Sequence, residues 1–222
     1  MTTQEIIDLK ILIDEMTINE LIKHLANTPG HYSDYSSLNY YLKKNYSDRE
    51  IIFKKLYDFF EINFENKSIL DLGPGTGESL DVAKNRGASK MEFIDREIIT
   101  FRYNELKGYT GHLFDYTTPA INEFNMKYDI VISKGSFNSD SLNEHKHQLL
   151  FRDIINWIEL ITRELIIIIP TFSGLNEFKC VDYQSFMKSE FSEELFSHDF
   201  KTAFIDGCNS KDFFPVTFFK II

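Results

Sequence analysis

A glycine-rich loop between a predicted strand and a predicted helix constrains the fold of this chain more than any other feature. The apolar residues 68–72 predict a short strand, and the loop that follows it carries Gly73, Gly75 and Gly77. A helix is predicted directly after the loop, over residues 79–86. A strand, a Gly-x-Gly-x-Gly loop and a helix in this order are typical of nucleotide binding in doubly wound folds.

Strands and helices alternate from residue 67 to the end of the chain. The predicted strands cover residues 68–72, 90–94, a segment ending near 114, 128–132 and 165–169, and the predicted helices cover 79–86, 98–106 and 142–162. This alternation predicts a parallel sheet covered by helices on both faces. Two final strands, at 200–205 and 214–222, are separated by a short loop. We expect them to be antiparallel, since a parallel crossover needs about a dozen residues or more.

The N-terminal residues 1–63 have a different character, because they are helical in pattern and rich in tyrosine. Ser or Thr followed three residues later by Glu marks a helix start, and this pattern occurs at Thr17, Ser47 and Ser141. The first two lie in the N-terminal region. We therefore predict a helical region over residues 1–63 that covers an α/β domain over residues 64–222.

Composition narrows the classes of partner. The formal charge is −10 and the pI is near 5.1, which disfavours a nucleic-acid substrate because phosphate backbones require a basic face. Cys180 and Cys208 lie far apart and predict neither a disulfide framework nor a metal site. The longest apolar run, residues 165–169, is too short to cross a bilayer, and residues 1–10 lack the apolar core of a signal peptide. We expect a cytoplasmic protein without a membrane partner, and the sequence indicates no oligomeric state.

Acidic residues around the loop distinguish between two kinds of cofactor. A dinucleotide loop requires a small residue where this chain has Glu78, and a carboxylate there would repel a pyrophosphate at the helix N-terminus. Asp71 precedes the loop, which favours a cofactor that is cationic and carries no phosphate. Asp95 ends the second strand, where a carboxylate can accept ribose hydroxyls. Asp115 ends the third strand and could accept from an adenine amino group, with Phe114 or Tyr116 flanking the base.

These residues resemble those of class I S-adenosylmethionine-dependent methyltransferases. The resemblance covers about residues 65–222, and the first motif of that family matches Asp71-Leu72-Gly73-Pro74-Gly75-Thr76-Gly77. It implies a Rossmann-like sheet of seven mostly parallel strands with a C-terminal antiparallel hairpin. It also implies S-adenosylmethionine as the cofactor, S-adenosylhomocysteine as the product, and a cofactor-binding set of Asp71, Gly73, Pro74, Gly75, Gly77, Asp95, Arg96, Asp115, Tyr116 and Ser133.

The resemblance places the methyl acceptor over the ends of the fourth and fifth strands. Enzymes of this family that methylate nucleobase amines usually carry Asp or Asn, Pro-Pro and an aromatic residue after the fourth strand. This chain has Ser133-Lys134-Gly135-Ser136, which argues against that substrate. The candidate acceptor-binding residues are Lys134, Phe137 and Phe172, with Tyr32 and Tyr35 from the N-terminal region. The alternatives are a solvated lysine at a strand end and tyrosines that only pack the region onto the sheet.

His147 is the candidate general base. It extends the predicted apolar stripe of the helix 142–162, and the positive helix N-terminus would keep the imidazole neutral. His145 is a weaker candidate, and a packed or capping histidine is the alternative for both. The sequence thus predicts a methyltransferase acting on oxygen or nitrogen of a small molecule. A protein methyltransferase and a non-catalytic cofactor-binding subunit are the other hypotheses, and a nicotinamide-dependent dehydrogenase is the least favoured because of Glu78.

Overall fold

The seven strands in the described part of the chain pair into one sheet. The computed structural model describes residues 20, 46–138, 150–171, 190–204 and 216–222. The strands are β1 (Ser68–Leu72), β2 (Lys90–Asp95), β3 (Thr110–Leu113), β4 (Tyr128–Asn138), β5 (Thr162–Thr171), β6 (Lys201–Phe204) and β7 (Val216–Ile221). The helices in the described ranges are α1 (Tyr46–Phe59), α2 (Glu78–Asn85), α3 (Ile98–Leu106), α4 (Phe151–Ile161) and α5 (Glu190–Ser197), with a 3-10 helix at Pro119–Glu123.

The strand order is β3-β2-β1-β4-β5-β7-β6. Strands β1 to β5 are parallel, whereas β7 is antiparallel to both β5 and β6. The predicted doubly wound, mostly parallel sheet with an antiparallel C-terminal pair is confirmed. The order reverses between β1 and β4, and open α/β sheets bind ligands in the crevice at the carboxyl ends of strands at such a point.

Most predicted elements agree with the structure within a few residues. Strand β1 and helix α3 have the predicted bounds, whereas β4 and β5 are longer than the predicted apolar runs. The predicted helix 142–162 is described only from residue 150 onward, and α4 already gives way to β5 at Thr162. Helix α5 was not predicted.

Side chains that alternate along the strands build two core layers, one on each face of the sheet. One layer packs Ile69, Phe93 and Ile167 against α1, α2 and α3. The other packs Leu70, Val131 and Ile168 against α4 and α5. Every residue of β1 is buried, as expected for a central parallel strand covered on both faces.

Helix α1 belongs to the core of the α/β domain. Its Phe53, Leu56 and Tyr57 are almost completely buried in the same layer as the sheet. The predicted boundary at residues 63/64 therefore falls between two elements that share one core. Residues 1–45, apart from residue 20, lie outside the described residues, so the hypothesis of a covering lid stays a prediction. Among the described helices, none has the length and apolarity to cross a membrane.

Candidate functional site

The three glycines after β1 all adopt the left-handed backbone conformation. Their φ angles are 72° at Gly73, 57° at Gly75 and 78° at Gly77, a region that other residues enter only with strain. The Gly73 N–H donates to the carbonyl of Ile94 at 2.9 Å, and the Gly77 N–H donates to the carbonyl of Pro74 at 2.9 Å. The first bond ties the loop to β2, and the second closes the turn that starts α2.

Gly77 also packs closely against α3. A Cβ atom at this position would lie 2.2 Å from Oδ1 of Asn104, a distance at which two atoms collide. The side-chain amide of Asn104 donates to the carbonyl of Gly75 at 2.9 Å. Glycine at 77 is therefore required both by the backbone conformation and by the contact with α3.

Two acidic side chains are buried at the start of α2. Asp71 is 2% exposed and Glu78 is 3% exposed, and they accept hydrogen bonds from the hydroxyls of Ser79 and Thr76 respectively. Burial is the largest cause that raises the pKa of Asp71, to about 7. The hydrogen bond from Ser79 lowers this pKa, whereas the charge of Glu78 adds to the increase. A cation bound near Asp71 would favour the ionised form of this carboxyl group.

Asp95 adds a third buried carboxylate at the end of the neighbouring strand β2. It is 7% exposed, and its Oδ1 accepts from the backbone N–H of Glu97 at 2.9 Å. Its charge also raises the pKa of Asp71, so the two groups interact electrostatically. The ends of β1 and β2 thus share one negatively charged, largely buried region.

Arg96 and Asp115 join the ends of β2 and β3. The Arg96 Nη1 atom lies 3.4 Å from Oδ2 of Asp115, while Oδ1 of Asp115 accepts from the N–H and the hydroxyl of Thr117 at 2.9 and 2.6 Å. Burial alone would raise the pKa of Asp115. The hydrogen bonds from Thr117 and the charge of Arg96 outweigh this effect and hold the pKa below its usual value. Asp115 is therefore an ionised group that also shapes the turn after β3.

The ring of Tyr116 lies in the core. It stacks on Trp157 of α4 with a centroid separation of 6.5 Å and an interplanar angle of 10°. Phe114, the other aromatic residue proposed to flank a base, is half-buried and packs against Phe124 at 5.6 Å. The described contacts of both rings are with the protein interior.

Ser133 and Lys134 lie within β4, where its pairing with β1 ends. Ser133 is fully buried and pairs with Leu72 in the sheet register. The Lys134 Nζ atom lies 5.2 Å from the ring centroid of Phe53, and its charge lowers the pKa of Asp71. The Lys134 ammonium therefore interacts electrostatically with Asp71, which is a different situation from a lysine solvated at a strand end.

The structure brings together the predicted residues of β1, β2 and β4 but does not describe the others around the acceptor. Phe137 lies within β4, where its backbone alone is described. The remaining predicted acceptor-binding and catalytic residues lie outside the described residues: Tyr32, Tyr35, Phe172, His145 and His147.

Asn104 and Lys107 contact the loop and were not identified from the sequence. The Lys107 Nζ atom donates to the carbonyl of Thr76 at 2.6 Å. Asn104 lies three residues after the buried Phe101 on the same side of α3, so a polar residue in an apolar stripe was the available signal. No such signal exists for Lys107, because a lysine near a helix end is common on protein surfaces.

A cavity of about 380 Å³ opens on the outer side of these helices. Its walls come from α1, α2 and the chain after α3, and they consist of Glu50, Asp81, Lys84, Asn85, Lys107 and Tyr109. None of the predicted cofactor-binding residues lines it, so it is distinct from the carboxyl ends of the strands. The described residues contain no cluster of side chains that could hold a metal ion.

Comparison with solved structures identifies the fold. Magnesium protoporphyrin IX methyltransferase (ChlM) from Synechocystis PCC 6803 with bound SAH superposes with a TM-score of 0.53 and 11% identity over 90% of this chain and 91% of that one. With bound SAM the same enzyme gives a TM-score of 0.52 and 12% identity over 95% of each chain. Ribosomal protein L11 methylase from Lactobacillus delbrueckii subsp. bulgaricus gives 0.50 and 13% identity over 76% and 75%.

The chain therefore has the fold of class I S-adenosylmethionine-dependent methyltransferases. No protein-family model and no curated protein matches the sequence. Because the sequence identities are only 11–13%, the similarity to these enzymes establishes the fold alone.

Proposed function

We propose that this protein is an S-adenosylmethionine-dependent methyltransferase that acts on oxygen or nitrogen of a small molecule. The observation that carries the proposal is the group of three buried carboxylates, Asp71, Glu78 and Asp95, around a left-handed glycine loop. S-adenosylmethionine carries a sulfonium and an ammonium. Buried carboxylates stabilise such cations strongly because little water screens them.

The same group of carboxylates disfavours a dinucleotide. A pyrophosphate would lie at the N-terminus of α2, where its negative charge meets the helix dipole. The first turn of that helix carries Glu78 and Asp81, and Glu78 is buried. Bringing phosphate charges beside a buried carboxylate is unfavourable, so the site suits a cofactor without phosphates.

In the proposed complex the predicted residues form groups with different roles. The loop residues Gly73, Pro74, Gly75 and Gly77 allow a close backbone approach, and Asp71 with Ser133 lines the end of the β1/β4 crevice. Asp95 accepts the ribose hydroxyls. Arg96, Asp115 and Tyr116 are assigned to the adenine end, with Tyr116 contributing its backbone because its ring is packed on Trp157.

Methyl transfer breaks the bond between the sulfonium sulfur and its methyl carbon while a bond forms from the acceptor atom to that carbon. The sulfur leaves as a neutral thioether, and the acceptor loses a proton. The protein must therefore align the acceptor and exclude water. His147 is proposed to take the proton, with His145 as the weaker candidate.

The small-molecule acceptor is supported by residues rather than by the fold. ChlM is named for a porphyrin substrate and L11 methylase for a protein substrate, so the shared fold accommodates both. We assign the acceptor to Tyr32, Tyr35, Lys134, Phe137 and Phe172, because a tyrosine-rich cover suits a small enclosed substrate. A protein acceptor is the alternative.

We also propose that the reaction takes place in the cytoplasm and that nucleic acid is not the substrate. The two well-separated cysteines support the first proposal, and the acidic net charge supports the second.

Calorimetry with S-adenosylmethionine, S-adenosylhomocysteine and NAD tests the cofactor. We expect the first two to bind and NAD to give no heat, and tight binding of NAD alone would overturn the proposal. Incubation with methyl-labelled cofactor and separate metabolite and protein fractions of a cell extract then tests the acceptor class. Label in the metabolite fraction is expected, whereas label confined to protein would favour the alternative. Binding without transfer to either fraction would favour a non-catalytic subunit.

A further inference from the structure

Two side chains, Asn104 on α3 and Lys107 directly after it, donate hydrogen bonds to the backbone of the glycine loop. The Nδ2 atom of Asn104 donates to the carbonyl of Gly75 at 2.9 Å. The Nζ atom of Lys107 donates to the carbonyl of Thr76 at 2.6 Å. Two consecutive peptide groups of the loop are therefore fixed by one neighbouring segment of the chain.

Asn104 is completely buried, and its environment is built around its amide donor. The Nδ2 atom also donates to the carbonyl of Thr100 at 2.9 Å, while Oδ1 has no hydrogen-bond partner among the described residues. An unpaired buried oxygen is unfavourable, and an apolar residue of similar size would avoid it. The position nevertheless carries Asn. We take this as an indication that the hydrogen bond from its amide to the Gly75 carbonyl compensates for the unpaired oxygen.

Lys107 is held by contacts on several sides. Its Nζ atom lies 2.5 Å from Oδ2 of Asp81 on α2 and 5.6 Å from the ring centroids of both Tyr103 and Tyr109. The hydroxyl of Tyr109 donates to the other oxygen of Asp81. The ammonium thus joins the glycine loop, α2 and the chain after α3 at one point, with little freedom to rotate away.

Fixing these carbonyls also fixes the opposite edges of the same peptide groups. A trans peptide directs its C=O and N–H in opposite directions. The bond from Asn104 to the Gly75 carbonyl therefore directs the N–H of Thr76 away from α3. The bond from Lys107 to the Thr76 carbonyl likewise orients the N–H of Gly77, which closes the turn to Pro74 at 2.9 Å.

We propose that Asn104 and Lys107 are positioning residues that set cofactor affinity by holding the glycine loop in its binding conformation. They act through the loop and do not touch the cofactor themselves. This inference rests on the proposed function. We call these two side chains the clamp. Weakening the clamp is expected to lower the affinity for any ligand that requires the ordered loop.

The test is calorimetry of the full-length Lys107→Met and Asn104→Leu proteins with S-adenosylmethionine and with S-adenosylhomocysteine. We expect both ligands to bind about tenfold more weakly, since a hydrogen bond from a charged or buried donor is lost. Lys84→Met is the matched control: it removes an equal charge from α2, beside Tyr109, and should bind like the wild type. Thermal unfolding of each variant, together with faster hydrogen exchange at the Gly77 amide, shows whether the loop alone is loosened.

The direction of the effect separates positioning from charge. Removing the positive charge of Lys107 should strengthen binding of a cationic ligand if only electrostatics mattered, so an equal loss for both ligands supports the clamp. Wild-type affinity in folded Lys107→Met, or tighter binding of S-adenosylmethionine alone, would overturn it. If Asn104→Leu does not fold, Lys107→Met decides. Failure of the wild type to bind either ligand would instead refute the proposed function, and the clamp's role in affinity with it.

Discussion

The hydroxyl of Ser79 donates a hydrogen bond to the carboxylate of Asp71, which joins the first turn of α2 to the end of β1 inside the protein. The hydroxyl of Tyr57 on α1 donates to the carbonyl of Ser79 at 3.2 Å. These three residues are buried, so they form a polar connection through the core just below the proposed cofactor site. We therefore expect the ionisation of Asp71 to affect stability and, in the proposed complex, cofactor binding.

The first prediction concerns stability and pH. Burial raises the pKa of Asp71 from 3.8 to about 7, so the folded protein holds this proton more tightly than the unfolded chain does. The stability that the protonated carboxyl contributes is therefore fully present below pH 3.8 and is lost as the pH rises through 7. Asp71→Asn stays neutral and should be more stable than the wild type at pH 8. The gain is on the order of 4 kcal/mol, at about 1.36 kcal/mol per pKa unit, and it should vanish near pH 4. Urea unfolding across this range measures it.

Asp129→Asn is the matched control with the opposite sign. Burial acts against the shift, but bonds from the Ser68 N–H at 2.7 Å and hydroxyl at 2.8 Å hold the pKa of Asp129 below its usual value. This carboxylate stabilises the protein above pH 3.8, so its replacement should destabilise the protein at neutral pH, and the difference should shrink in acid. Identical pH profiles for Asp71→Asn and the wild type would contradict our account of Asp71.

The second prediction concerns proton release on binding. A cationic cofactor favours the ionised form of Asp71, so S-adenosylmethionine should bind more tightly as the pH rises from 6 to 8, by at most about tenfold per pH unit below 7. S-adenosylhomocysteine lacks the sulfonium charge and should depend less on pH. Calorimetry at pH 6 in two buffers of different ionisation enthalpy counts the released protons. A pH-independent ratio of the two affinities would refute the linkage, and Asp71→Asn should abolish it.

The third prediction uses two glycines with similar backbones and different surroundings. Gly77→Ala combines left-handed strain of about 1–2 kcal/mol with the collision against Asn104, so it should lower stability substantially. A Cβ at Gly75 meets no atom of the described residues within 4 Å. Gly75→Ala should therefore destabilise the fold by the strain alone and remain folded, while weakening cofactor binding because the backbone can no longer be approached closely. Equal unfolding midpoints for the two variants would contradict this assignment.

The sequence predicted the fold well because the signals for it are local. Alternating apolar strands and a positive-φ glycine loop specify β1, α2 and β2 without reference to distant residues, and the predicted bounds of β1 are those observed. The ends of β4 and β5 were less predictable. Polar residues such as Lys134 and Thr162 extend these strands through pairing with their neighbours, which the sequence alone does not reveal.

The candidate site was predictable only where a motif marks it. Asp71, Asp95 and the glycines follow from their positions at strand ends, whereas the contacts of Asn104 and Lys107 join residues about 30 positions apart. Whether a side chain at such a distance meets the loop depends on how α3 packs beside α2. The ring of Tyr116 shows the same limit, since its stacking on Trp157 is a tertiary contact.

The fourth prediction tests the position of the ribose. Asp95→Asn keeps an oxygen that can accept from the Glu97 N–H, at 2.9 Å in the wild type, so the chain after β2 should keep its conformation and thermal stability. The lost charge should weaken both S-adenosylmethionine and S-adenosylhomocysteine by about ten- to a hundredfold, because bonds from both ribose hydroxyls to a charged acceptor are weakened. The loss should be at least as large for S-adenosylmethionine, because its sulfonium also loses a nearby negative charge.

The 2′-deoxyribose analogue of S-adenosylhomocysteine makes this test specific to the ribose. The wild type should bind the analogue about tenfold more weakly than the parent compound, since one hydroxyl bond to a carboxylate is missing. Asp95→Asn should discriminate far less between the two. If the variant instead keeps the full preference for the ribose compound, the carboxylate of Asp95 does not hold that hydroxyl. Its hydrogen bond from the Glu97 N–H would then mark a role in the fold.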